Sequence, residues 1–77
     1  MSNTPNELAE QFPLAVEKMH ELKTSDAHFA KLFDDYHEIN RQIHRAETNI
    51  EPTDDFHLED MRKQRLALLD TIAPYLR

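Results

Sequence analysis

Seventy-seven residues with no cysteine, no glycine and a formal net charge of −6 leave room for little more than one small helical core. Disulfides and thiolate metal sites are excluded, and a small β domain is disfavoured for want of turn and strand residues. The acidic balance weighs against nucleic acid and anionic lipid, which are bound by neutralising phosphates with Lys and Arg, and the apolar runs are too short to cross a bilayer.

Met1-Ser2-Asn3-Thr4-Pro5-Asn6-Glu7 has neither the basic start nor the apolar core of a secretion signal, so a cytoplasmic protein is expected. Within it, Thr4 is an N-cap hydroxyl, Pro5 suits the first helical position and Glu7 places a carboxylate at the third, which predicts a helix start. Leu8, Phe12, Ala15, Met19 and Leu22 continue at helical spacing. Pro13 cannot donate an amide, however, so residues 5–22 are read as a helix interrupted near Phe12-Pro13. Lys23-Thr24-Ser25-Asp26 offers a second start, with Thr24 or Ser25 as the capping hydroxyl and Asp26 beside the positive end of the next helix.

A long helix over 25–49 follows. Its apolar residues Phe29, Leu32, Tyr36, Ile39, Ile43, Ala46 and Ile50 alternate steps of three and four, the seam of a helix that packs lengthwise on another. Pro52 pushes Glu51 out of helical geometry and Thr53 or Asp54 caps what comes next. Residues 50–54 therefore read as a turn and 55–73 as a C-terminal helix ended by Pro74. That helix carries Leu58, Met61, Leu68, Ile72 and Tyr75 on one stripe, with Arg65 where another apolar residue would complete it. In an antiparallel hairpin the numbers of facing residues add to a constant. Phe29 with Tyr75, Leu32 with Ile72, Tyr36 with Leu68, Ile39 with Arg65, Ile43 with Met61 and Ala46 with Leu58 all satisfy one register. The expected fold is all-α, a single helical domain over 1–77 made of an antiparallel, coiled-coil-like hairpin and an additional N-terminal helix.

The same register leaves residues 5–25 without a partner. Leu8, Phe12, Met19 and Leu22 form a stripe unsuited to a lone helix in water, and Phe33, Leu69 and Leu76 lie on one flank of the hairpin beside the seam. The N-terminal helix must fold back onto that flank or meet another protomer there. These residues are the candidate interaction surface, and a second copy or a protein partner is the expected occupant, since a bare two-helix hairpin buries little area.

Of the five histidines, His20, His28, His37, His44 and His57, no two share the four-residue spacing of a helical zinc site, so they read as surface or weakly pairing side chains. Asp54, Asp55, Glu59 and Asp60 have no calcium-loop spacing and read as helix-start electrostatics. No metal and no cofactor is expected. Arg62-Lys63-Gln64-Arg65 is the one dense basic segment, and Arg62, Lys63 and Arg65 are the candidates for a nucleic-acid or anionic ligand. The competing reading pairs them with Asp35 and Glu38 across the hairpin, where Arg65 would lay its stem in the seam, reach one of those carboxylates and fix register. Phosphate loops and nucleophile elbows need glycine, so an enzyme is not expected.

The block from Leu22 through Asp26 to Phe33, then Tyr36-His37-Glu38-Ile39-Asn40, and later Lys63-Gln64-Arg65-Leu66-Ala67-Leu68-Leu69-Asp70, resembles the YdcH-like family of small bacterial proteins over about residues 12–76. The shared features are a Leu-Lys-x-x-Asp-x-x-Phe block, a short Pro-containing turn and a Lys-x-Arg-Leu-x-Leu-x-Asp block. The resemblance implies an α-helical hairpin in a bacterial cytosol, with no established biochemical function and no catalytic residues to carry over.

Overall fold

The computed structural model describes residues 6–48 and 54–77, and every regular element among them is helical. Helix α1 spans Leu8–Gln11, a 3₁₀ turn spans Pro13–Ala15, α2 spans Val16–Ser25, α3 spans Ala27–Glu47 and α4 spans Asp55–Leu76. Helices α3 and α4 form the antiparallel hairpin that the matched stripes require. Phe29 meets Tyr75 edge-on at 5.4 Å between ring centroids, and Ile43 and Met61 share the core at the far end. The loop residues 49–53, including Ile50 and Pro52, lie outside the described residues.

Each helix end has a local cause, and several differ from the sequence reading. The first helix begins at Leu8, because Asn6 sits in the left-handed region at φ 62° and Glu7 is extended; Thr4 and Pro5 fall outside the described residues. Asn is one of the few side chains that occupy that region readily. The break at Pro13 is as expected: Phe12 leaves helical geometry ahead of the proline, and α2 then runs on to Ser25, past Leu22. The next cap is Asp26, whose carboxylate accepts from the Phe29 amide at 3.1 Å. Thr24 and Ser25 do not cap; their hydroxyls donate back to the Glu21 carbonyl at 2.9 and 2.8 Å, a competing local bond open to any helical Ser or Thr. Asp54 caps α4 by accepting from the His57 amide at 2.7 Å. Pro74 does not end α4, which continues to Leu76. The ring lies on the exposed side, and burial of Leu76 together with the Tyr75–Phe29 contact offsets the lost helical hydrogen bond.

The core has two parts. At one end Phe29, Tyr36, Ile72 and Leu76 are joined by Leu8 and Met19, so the N-terminal segment folds back over the flank as a third layer. At the other end Ile39, Ile43 and Met61 pack with only Ala46, Leu58 and Leu68 around them.

Candidate functional site

The sequence-derived interaction surface is mostly interior. Leu8, Met19 and Leu76 are buried, and Phe12, Leu22, Phe33 and Leu69 pack half-buried against the same cluster. The physical reason is the break at Asp26. It turns α2 off the α3 axis, so the apolar stripe of α2 meets the hairpin flank and not solvent. Polar contacts hold the segment down. The Tyr36 hydroxyl donates to the Asn6 carbonyl at 2.7 Å, Glu7 Oε2 lies 2.8 Å from His37 Nδ1, and the Lys18 ammonium reaches the Arg77 carbonyl at 3.3 Å. Phe33 stands between His37, at 4.4 Å between ring centroids, and the Lys23 ammonium, 4.3 Å above its ring. Burial pushes the Tyr36 phenol above its ordinary range, with nearby Arg65 partly opposing the shift. Between α1, α2 and α3 a recess of about 150 Å³ remains, lined by Val16, Met19 and Phe33 and by Glu7, His20, Lys23 and His37.

The basic segment is engaged within the chain, but with other partners than Asp35 and Glu38. Arg62 bonds Glu47 at 2.8 Å and approaches Glu59 at 3.7 Å, and the Glu47 bond raises the guanidinium pKa further. Arg65 donates to Asn40 Oδ1 at 3.0 Å, and Asn40 is a buried polar residue that the spacing argument passed over. Asn40 lies one turn beyond Tyr36 on the same side of the seam. Asp35 and Glu38 face the opposite groove with Gln64 and Ala67, out of Arg65's reach. There Asp35 pairs with Lys31 at 3.0 Å, while Glu38 accepts from Arg41 at 2.7 Å and Gln42 at 3.1 Å, bonds that hold its carboxyl below the usual range. On the other side, Arg62 and Arg65 line a recess of about 190 Å³ with Gln11, Tyr36 and Leu66.

The histidines are dispersed, and among the described residues no three His, Asp or Glu side chains converge as metal ligands would. His37 pairs with Glu7 across 30 positions, a contact without any local spacing signal. No helix among the described residues is long and apolar enough to span a membrane. Among the described residues, the large apolar side chains that face solvent are Leu14, Phe56 and Leu66, exposed to 102%, 91% and 58%. None belongs to a stripe found from the sequence. Phe56 and Leu66 could have been picked out as the apolar members of the last helix that lie off its seam.

A family model described as protein of unknown function (DUF465) matches residues 29–76, which is α4 and nearly all of α3. No curated protein and no solved structure matches the chain.

Proposed function

The chain belongs to the DUF465 family of proteins of unknown function, and from that premise we propose that it is a protein–protein interaction or self-association module of the YdcH-like kind. In this reading it works in a bacterial cytosol, without catalysis and without a cofactor. The observation that supports it most is the exposure of Leu14, Phe56 and Leu66 on a chain whose other apolar stripes are already used internally. Scattered exposed apolar residues are ordinary. Here, however, Phe56 and Leu66 share the outer half of one 22-residue helix, and Leu14 stands on a proline-led turn. Sedimentation over a wide concentration range tests the reading. A weight-average mass that rises with concentration, and falls again with Leu14→Asp, Phe56→Asp or Leu66→Asp, supports it. A monomer at every concentration counts against self-association.

A second reading, binding of a nucleic-acid or other anionic ligand by Arg62, Lys63 and Arg65, draws on the recess that the two arginines line. Arg65's hydrogen bond goes to a neutral amide, so that contact leaves its charge uncompensated. Against it stand the Glu47 carboxylate on Arg62 and the net charge of −6. A salt-dependent mobility shift supports this reading, and no binding at low salt ends it.

A further inference from the structure

Helix α4 is apolar on two sides. Leu58, Met61, Leu68 and Ile72 face α3, but the outward face, set about 180° away at 100° per residue, carries Phe56 and Pro74, with Leu66 on one edge and Ala67 on the other, all exposed. Between them stand Lys63 and Asp70, also exposed. The acidic neighbours of Lys63 one turn back are engaged elsewhere: Glu59 approaches Arg62 at 3.7 Å and Asp60 accepts from Gln64 at 2.7 Å. Neither Lys63 nor Asp70 has an ion pair or hydrogen bond among the described residues. They are seven positions apart on one helix, about 10 Å along its axis, and cannot pair with each other in one chain.

From this pattern we propose that the outer face of α4 binds a second copy of this chain, α4 against α4 and antiparallel, on a two-fold axis between Leu66 and Ala67. The proposal deepens the self-association reading and rests on it. About that axis Lys63 of each copy faces Asp70 of the other, twice over. Leu66 of each copy meets Leu66 of the other along one edge of the contact, and the small Ala67 meets Ala67 along the other edge, which lets the helices approach closely there. An isologous contact of this kind is self-complementary and closes at two copies. The charge order also rejects the alternatives, since a shift of one turn toward the N-terminus would set Asp60 against Asp70, and one helix laid parallel on the other would set like against like. A 22-residue helix is about 33 Å long, and one such stripe buries area near the lower bound of about 1,000 Å² for a specific interface. The expected complex is therefore a reversible, concentration-dependent dimer.

The test is sedimentation equilibrium on the full chain and on Lys63→Glu, Asp70→Lys, the double variant and Leu66→Asp, each checked for unchanged helix content by circular dichroism. All these positions are exposed, so the fold should survive. Each single charge reversal turns two attractive pairs repulsive and should raise the dimer dissociation constant on the order of tenfold. The double variant should restore it. An equimolar mixture of Lys63→Glu and Asp70→Lys chains should also associate, because both crossed pairs become attractive. Leu66→Asp should abolish the dimer. If the unaltered chain dimerises and these variants leave its dissociation constant unchanged, the α4 pairing is wrong while self-association stands. A chain that stays monomeric up to millimolar concentration, or whose α4 face instead binds a different protein, overturns the pairing as well.

Discussion

The two ends of the hairpin are built from the same pair of helices and differ in what covers them. At the end holding Phe29, Tyr36 and Ile72, a third layer of α1 and α2 closes over the flank, and several side chains are wholly excluded from water. At the end holding Ile39, Ile43 and Met61, the core is a seam one side chain wide between α3 and α4. Two helices alone bury a stripe and leave its edges wet. A third element converts an edge into an interior, where a lost methyl group leaves a cavity that neighbours cannot easily fill.

Truncations read this difference directly. Phe29→Ala, at the centre of the covered end, should cost about 3–5 kcal/mol and leave the chain largely unfolded at room temperature, as measured by denaturant melts followed by circular dichroism. Leu8→Ala and Ile43→Ala remove fully buried side chains of similar size from the two ends. Both fall in a range of about 2–5 kcal/mol, with Leu8 the costlier because the thin seam around Ile43 can close on the gap. An Ile43 cost equal to or above that of Leu8 would break the comparison. Asp26→Ala, which removes the cap where α2 turns away from α3, should cost about 1 kcal/mol.

Alkaline pH gives a smaller effect confined to the covered end. Burial favours the neutral Tyr36 phenol, so the unfolded chain releases that proton first as pH rises past the ordinary value of 10.0. Stability from this group is fully present below that pH and is lost as pH climbs through the raised native value. Tyr36→Phe should flatten the alkaline limb of a stability–pH curve, at the cost of the hydrogen bond to Asn6, about 1 kcal/mol at neutral pH. An alkaline limb that is unchanged in Tyr36→Phe would assign it to another group. The smallest change should come from Arg62→Gln at the uncovered end, where loss of the solvent-exposed Glu47 pair should lower the denaturation midpoint slightly in low salt and less in high salt.

The hairpin was legible because its evidence is periodic. Two stripes that match in one register constrain each other, and the Phe29–Tyr75 contact falls where that register puts it. The Asp54 cap and the interruption at Pro13 were legible for local stereochemical reasons. What escaped depends on contacts distant in sequence. The fold-back of α1 and α2 rests on Tyr36 with Asn6 and His37 with Glu7, pairs without a repeat or spacing to announce them. The sequence points to Thr24 or Ser25 as the cap and leaves Asp26 only a place beside the helix dipole, but the Glu21 carbonyl draws both hydroxyls away and the Asp26 carboxylate takes the Phe29 amide. Pro74 reads as a stop until Tyr75 and Leu76 are seen packed in the core beyond it. For the candidate site, the spacing of Leu8 and Met19 marks an apolar stripe in need of cover. That the chain covers it with its own flank depends on the direction taken at Asp26, which no spacing encodes.

The shortness of α1 sets how the molecule opens in time. A helix of four residues holds no structure by itself, and α1 persists through Leu8 in the core, Phe12 packed against it, the Tyr36 hydroxyl on the Asn6 carbonyl and the Glu7–His37 pair. Release of the segment before Pro13 therefore needs no separation of α3 from α4. The α1 amides should exchange with deuterated solvent through local openings that cost less than parting the hairpin, while amides of α3 between Tyr36 and Ile43 wait for the hairpin itself to part. The chain is in this sense a slow clasp with a fast latch, and the latch, on leaving, uncovers the Tyr36 side of the hairpin.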